Sequence, residues 1–182
     1  LTRPLDDRDV KGVSFERSTP RLLEPDTEEN LQKLFVQNQW SDFLPVVMPT
    51  EERVAAMLKG SSHKPDEVVG RLAPTSFREA WEFTVEKVAV NAVMAGCRPE
   101  YLPVVLAIVE AALEPMFCMH GLLATTYFAG PIIVVNGPVT KKIGMNWGMN
   151  ALGQGNRANS TIGRALQLLI RNFGEGRPGE VD

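Results

Sequence analysis

No Lys, Arg, Asp or Glu occurs between Glu114 and Lys141, and this run of 26 uncharged residues constrains the fold more than any other feature. Its length alone is sufficient for a membrane span. However, prolines, glycines, His120 and Asn136 interrupt it, and its longest aliphatic run is the four residues 132–135. We therefore predict buried core strands and turns, deep inside a domain or against a partner chain, and no membrane span.

The composition is that of an ordinary globular protein. Of the 182 residues, 44% are hydrophobic and 23% are charged, and the formal net charge is -3. The length fits one domain rather than two, and the negative charge argues against a nucleic-acid-binding protein. The chain has only two cysteines, Cys97 and Cys118, and no apolar leader at its N-terminus. We therefore expect a reducing, cytoplasmic location.

Helix signals dominate the sequence, and a few strand signals lie between them. We predict an extended arm with one short helix over residues 1–45 and a mixed α/β core domain over residues 46–182. Capping residues and apolar spacing predict helices that begin near positions 27, 50, 65, 76, 99 and 159 and brief strands over 44–48 and 131–135. The predicted fold class is α/β or α+β, a helix-rich single domain with a few buried strands of unknown order.

Cys97 is the first candidate for chemistry. It lies between the end of one predicted helix and the start of the next, beside Arg98. Free N–H groups at a helix start and a neighbouring cation stabilise a thiolate, which makes Cys97 a candidate nucleophile or redox thiol. A small residue packed beneath the two helices explains the same position, and the sequence leaves both interpretations open.

His120 lies within the uncharged run. An imidazole there is either a hydrogen-bonding group of the core or a general base whose pKa is tuned by burial. Together with Cys118, Cys97 and His63 it would give four zinc ligands, but their spacing matches no zinc motif. We therefore expect no metal site, and the sequence identifies no cofactor.

A loop rich in glycine and asparagine, residues 144–155, leads towards the last predicted helix. Glycines let backbone N–H groups approach a ligand, and a helix N-terminus adds a positive dipole end. The substring 153–158 matches a dinucleotide-binding pattern, but no clear strand precedes it. We predict binding of a carboxylate, a phosphate or an oxyanion, with a purely structural turn as the alternative. The candidate binding residues are Asn146, Asn150, Arg157, Asn159, Thr161 and Arg164.

The strings MPTEERV at 48–54, GCRPEYLP at 96–103 and RANSTIGRA at 157–165 resemble a family of bacterial proteins associated with UGSC-type (seleno)proteins. The similarity covers about residues 46–182. Some related sequences are linked to a domain with a selenocysteine- or cysteine-Gly-Ser-Cys motif, which this chain does not contain. The resemblance therefore implies a redox-type enzyme whose other active group lies outside this polypeptide.

Three functions are consistent with these residues. The first is a subunit of a cytosolic enzyme that acts on a small anionic or carbonyl-bearing substrate by thiol or redox chemistry. Cys97 and His120 would then be catalytic, and a partner chain, from a hetero-oligomer or a homo-oligomer, would share the site. The second is a lyase or hydratase that uses His120 and the oxyanion donors of the loop. The third is a non-catalytic binding or structural subunit.

Overall fold

The computed structural model describes residues 22–72 and 81–174 of the chain. Within these residues the secondary structure elements, in chain order, are α1 (Glu28–Gln37), α2 (Glu51–Leu58), β1 (Val68–Leu72), β2 (Trp81–Thr84), α3 (Val85–Ala95), α4 (Leu102–Leu113), α5 (Met119–Leu123), α6 (Pro138–Lys142) and α7 (Arg157–Leu169). Short 3-10 turns precede α4 and α5, and a π-helical turn extends α7. The predicted helix-rich fold is confirmed, and it is of the α+β type with one small antiparallel sheet.

Capping residues define the starts of several helices. Thr27, Thr50 and Thr84 have extended backbone, and each hydroxyl accepts a hydrogen bond from the N–H group three residues later. These caps satisfy donors that have no partner inside the helix, so α1, α2 and α3 begin where they do. The predicted starts of the first two helices are confirmed, as is the predicted helical region after Pro99.

The two-stranded sheet corrects two sequence predictions. We predicted a helix from position 65, but Val68–Leu72 is strand β1, which pairs antiparallel with β2. We also predicted a helix from position 76, but residues 81–84 belong to β2 and α3 begins only at Val85. β-branched Val68 and Val69 favour the extended backbone, and pairing with β2 stabilises it. The predicted capping box at 76–79 lies outside the described residues.

The main hydrophobic core surrounds α3. Val88, Ala89 and Ala92 on this helix have no exposed surface, and α3 packs against α2, α4 and α7. Phe35 of α1 joins the same core, while residues 1–21 of the predicted arm lie outside the described residues. The helices of this core therefore position the segments that connect them, including the end of α3 and the start of α7.

Both short strands predicted in the connecting segments are absent from the structure. Residues 44–48 form no strand, although the N–H of Val47 donates to the carbonyl of Met94 at 3.1 Å. Residues 131–135 have no regular secondary structure, and Ile132 and Val134 are 84% and 75% exposed. No other strand in the described part of the chain pairs with 131–135. The predicted burial of this strand inside the domain is therefore wrong.

The helices are short compared with a membrane-spanning segment. Among the described residues, no single helix is long and apolar enough to cross a membrane. The pair Pro99–Leu113 and Pro115–Leu123 has the necessary length and composition together, but it is bent by 69°.

Candidate functional site

Three of the predicted site residues meet where α3 ends and α7 begins. Gly96 ends α3 in a left-handed conformation, with φ of 87°, and Cys97 follows it. The Cys97 thiol donates a hydrogen bond to the carbonyl oxygen of Thr161, with 3.4 Å between Sγ and O. Nε of Arg157 donates to the carbonyl oxygen of Gly96 at 3.0 Å. The fold thus brings together residues that are 61 and 64 positions apart in the sequence.

The surroundings of Cys97 favour the protonated thiol. Burial raises the pKa of Cys97 to about 11, although the Thr161 hydrogen bond and the charge of Arg157 act in the opposite direction. The N–H of Cys97 donates to the carbonyl of Ala92, so the residue still belongs to the end of α3. The expected stabilisation of a thiolate by a helix start is therefore wrong for this structure, because desolvation dominates. The catalytic role of Cys97 stays a prediction.

Asn159 attaches the glycine-asparagine loop to α7. Its Oδ1 accepts from the N–H of Asn146 at 3.1 Å, and its Nδ2 donates to the carbonyls of Asn146 and Ala151 at 2.8 and 3.0 Å. Asn156, the N-cap of α7, accepts from the N–H of Asn159 and donates to the carbonyl of Gly144. These two side chains therefore bind the protein backbone with both their oxygen and their nitrogen atoms.

The same loop displays large apolar side chains. Asn146 shapes it by accepting from the N–H of Gly148 and donating to the carbonyl of Met149. Asn150 is exposed and has a positive φ of 59°, a conformation that asparagine tolerates better than most residues. The side chains that the loop leaves most exposed, between 65% and 99%, are Trp147, Met149 and Leu152. The exposure of these apolar side chains was not predicted from the sequence, in which the loop was recognised by its glycines and asparagines.

Arg157 and Arg164 have different roles in the structure. Arg157 is exposed, and within the described residues its guanidinium bonds only to Gly96. Arg164 forms two 2.8 Å hydrogen bonds with the carboxylate of Asp42 and a third with the carbonyl of Pro45. Hydrogen bonding to Arg164 lowers the pKa of Asp42, and the same pair raises the pKa of Arg164. Arg164 therefore anchors the segment after α1, which is not the role that we predicted.

His120 is exposed on α5 rather than buried in the core. Its neighbour Met119 is the buried residue of that helix and packs near Leu166. Within the described residues, the His120 side chain forms no hydrogen bond with Cys97 or with the loop. Anywhere in the described residues, no three His, Cys, Asp or Glu side chains lie close enough together to hold a metal ion. The burial that we expected for His120 is therefore wrong, and its catalytic role stays a prediction.

Residues 153–158 also lack the surroundings of a dinucleotide-binding motif. The described chain before them forms turns and bends rather than a strand, and α7 follows at Arg157. In a dinucleotide fingerprint, the glycine-rich turn connects a strand to a helix whose N-terminus holds the pyrophosphate. The structure therefore does not support nucleotide binding through this pattern.

An apolar groove of about 650 Å³ lies between α4 and the segment 131–136. Its lining includes Val104, Ile108 and Phe117 on one side and Ile132 and Val134 on the other. We did not predict a groove here from the sequence. The signal that pointed to it was the uncharged run, which requires either burial or a partner.

Comparisons of this chain with protein-family models, with curated proteins and with solved structures give no match. The resemblance to the family associated with UGSC-type (seleno)proteins therefore stays a prediction.

Proposed function

We propose that this chain is a subunit of an enzyme that binds a small anionic or carbonyl-bearing substrate where α3 ends and α7 begins. The observation that supports this is a pair of tertiary hydrogen bonds at this junction, from the Cys97 thiol to the Thr161 carbonyl and from Arg157 to the Gly96 carbonyl. The Arg157 guanidinium is exposed and uses only Nε for its bond to Gly96, so its terminal N–H groups can pair with a carboxylate or phosphate.

The proposed site includes a group from a partner chain. Cys97 is a protonated thiol at neutral pH, since its pKa is about 11. Nucleophilic or redox chemistry requires the thiolate, and a nearby base or cation generates it. Among the described residues, no base is hydrogen-bonded to Cys97, whose thiol donates to a backbone carbonyl. We therefore assign the complementary catalytic group to the partner chain.

The experiment is a binding titration with defined probes. Pyruvate, which carries a carboxylate and a carbonyl, and inorganic phosphate are titrated calorimetrically into the wild type and into Arg157→Ala and Arg157→Lys. Loss of a charge-assisted pair of about 1.5–3 kcal/mol weakens binding roughly 10- to 100-fold in Arg157→Ala, with partial recovery in Arg157→Lys.

The matched control is Arg98→Ala. Arg98 is also an exposed arginine and follows Cys97 directly, so its removal changes the net charge by the same amount near the same place. We expect probe binding by Arg98→Ala to stay within about twofold of the wild type, since a charge that does not pair directly with the probe acts on it only through screening solvent. Equal losses in the two alanine variants, or no binding of either probe to the wild type, would contradict the proposed function.

A non-catalytic binding subunit is the second candidate. The specific observation in its favour is that Asn156 and Asn159 use their polar atoms to hold the loop, which displays Trp147, Met149 and Leu152. In that case Arg157→Ala lowers the melting temperature, because its bond to Gly96 is lost, and leaves probe binding unchanged. The same titration therefore separates the two candidates.

A further inference from the structure

Residues 131–135 have the features of a β-strand without a neighbour. They contain no helix, turn or bend, and side-chain exposure alternates from Ile132 to Val135. Ile133 packs against the small cluster beside α5, and Val135 packs against the main core. Ile132 and Val134, the alternate residues, are 84% and 75% exposed. A period of two is the period of a strand with one buried face.

The backbone of this segment is open to pairing. Within the described part of the chain, no N–H or C=O group of residues 131–135 is hydrogen-bonded to another backbone group. An unpaired extended segment is a template for a strand of another chain. Because the surrounding run from 115 to 140 has no charged residue, two copies of this segment can approach each other without charge repulsion.

The exposed apolar surface of this run is large enough for a stable contact. Six of its large side chains are between 43% and 98% exposed: Met116, Phe117, Tyr127, Phe128, Ile132 and Val134. At roughly 150 Å² for each fully exposed side chain, the six together present on the order of 700 Å². A standard interface takes roughly 800 Å² from each partner, and only Ile132 and Val134 of the six lie in the pairing segment itself. Three of them, Phe117, Ile132 and Val134, line the groove beside α4.

We propose that two copies of this chain associate by antiparallel pairing of their residues 131–135. Pairing centred on Ile133 places Ile132 of each copy opposite Val134 of the partner subunit. The same residues of both copies therefore form the contact. Such two-fold contacts are the commonest arrangement in soluble oligomers. This inference goes beyond the proposed function and does not depend on it.

The first test is sedimentation velocity across a dilution series of the wild type and the double variant Ile132→Lys/Val134→Lys. We expect a concentration-dependent dimer for the wild type. The double variant places like charges opposite each other, so we expect dimerisation to weaken by at least about a hundredfold. Leu44→Lys is the control, because Leu44 is an exposed apolar residue outside this run. Circular dichroism confirms that each variant is folded.

The second test uses charge complementarity. The double variant Ile132→Glu/Val134→Glu is mixed with the double lysine variant, and we expect dimers to return in the mixture only. A wild type that is monomeric at every concentration, lysine variants that still dimerise, or a mixture that stays monomeric would each overturn the inference.

Titrations of pyruvate and of inorganic phosphate into the same samples separate this inference from the proposed function. A monomeric wild type that binds pyruvate through Arg157 overturns the dimer and leaves the proposed function intact. A wild type that dimerises through residues 131–135 without binding either probe supports the strand pairing and removes the proposed substrate site.

Discussion

Helix α4 and the segment 131–135 are both strongly apolar, but the fold treats them differently. Leu102, Val105 and Val109 of α4 are between 0% and 2% exposed. Ile132 and Val134 of the segment are mostly exposed, although they are equally hydrophobic. Hydrophobicity alone therefore did not determine which of the two regions became part of the core.

The difference comes from the backbone. A helix satisfies most of its N–H and C=O groups internally, so α4 can be covered by other elements without leaving polar groups unpaired. An extended segment needs a neighbouring strand before it can be buried, and the short sheet of β1 and β2 does not extend to residues 131–135. An apolar strand is thus buried only where a partner strand exists, whereas an apolar helix needs only a packing surface.

The largest expected change in the free energy of unfolding comes from a substitution in the buried face of α4. Leu102→Ala removes a fully buried side chain, and we expect it to lower the free energy of unfolding by about 2–5 kcal/mol. Ile132→Ala removes an exposed side chain and should change the stability of the dilute protein by less than about 0.5 kcal/mol. Urea denaturation measures the free energy of unfolding of both variants. Similar losses in the two variants would mean that Ile132 is buried within a single chain.

A second prediction compares Cys97 in the core with Cys118, which is exposed in the uncharged run. Because burial raises the pKa of Cys97 from 9.0 to about 11, the folded state holds the thiol proton more tightly than the unfolded state. The resulting stability is fully present below about pH 9 and is lost as the pH rises towards 11, by up to about 3 kcal/mol.

Denaturation of the wild type and of Cys97→Ala at several pH values measures this effect. The free energy of unfolding of the wild type relative to Cys97→Ala should decrease as the pH rises through this range. The same comparison of the wild type with Cys118→Ala is the reference for an exposed thiol. In the native protein, iodoacetamide should modify Cys118 well before Cys97. Rapid alkylation of Cys97 at neutral pH would contradict the buried, protonated thiol.

The smallest expected effect concerns two glycines. Gly96, at the end of α3, has a left-handed φ of 87°, so Gly96→Ala should cost about 1–2 kcal/mol. Gly130, just before the exposed segment, has no left-handed φ, and no atom lies within 4 Å of the position that an alanine Cβ would occupy there. Gly130→Ala should therefore be neutral or stabilising by up to about 1 kcal/mol. Thermal unfolding of both variants measures the difference, and a larger loss at Gly130 would reverse the comparison.

Local signals predicted the helices well where a cap and an apolar stripe coincide. The caps Thr27 and Thr50 and the stop at Gly96 act within a few residues of the helix that they limit. The same reasoning failed over residues 65–70 and 81–84, because pairing between β1 and β2 overrides local preference. The helix-rich mixed class could therefore be predicted from the sequence, whereas the choice of α+β over α/β and the position of the sheet could not.

The candidate site shows the same difference between features that local sequence predicts and contacts that the tertiary structure decides. The glycine-asparagine loop and α7 were recognisable from composition and spacing, but the bond from Cys97 to Thr161 spans 64 positions and leaves no local pattern. Asp42 was missed entirely, since its partner Arg164 lies 122 positions away. These contacts depend on how α7 packs against α3 and against the segment after α1.

Local sequence was sufficient to predict the helix-rich class and the helix ends that have caps. It also showed an uncharged run that needs burial or a partner. The packing of distant segments decided that Cys97 is a buried, protonated thiol, that Arg164 binds Asp42, and that the run leaves Ile132 and Val134 exposed. The cause of this division is the range of the interactions. Capping and side-chain periodicity act over a few residues, whereas desolvation, ion pairing and strand pairing depend on which distant segments become neighbours.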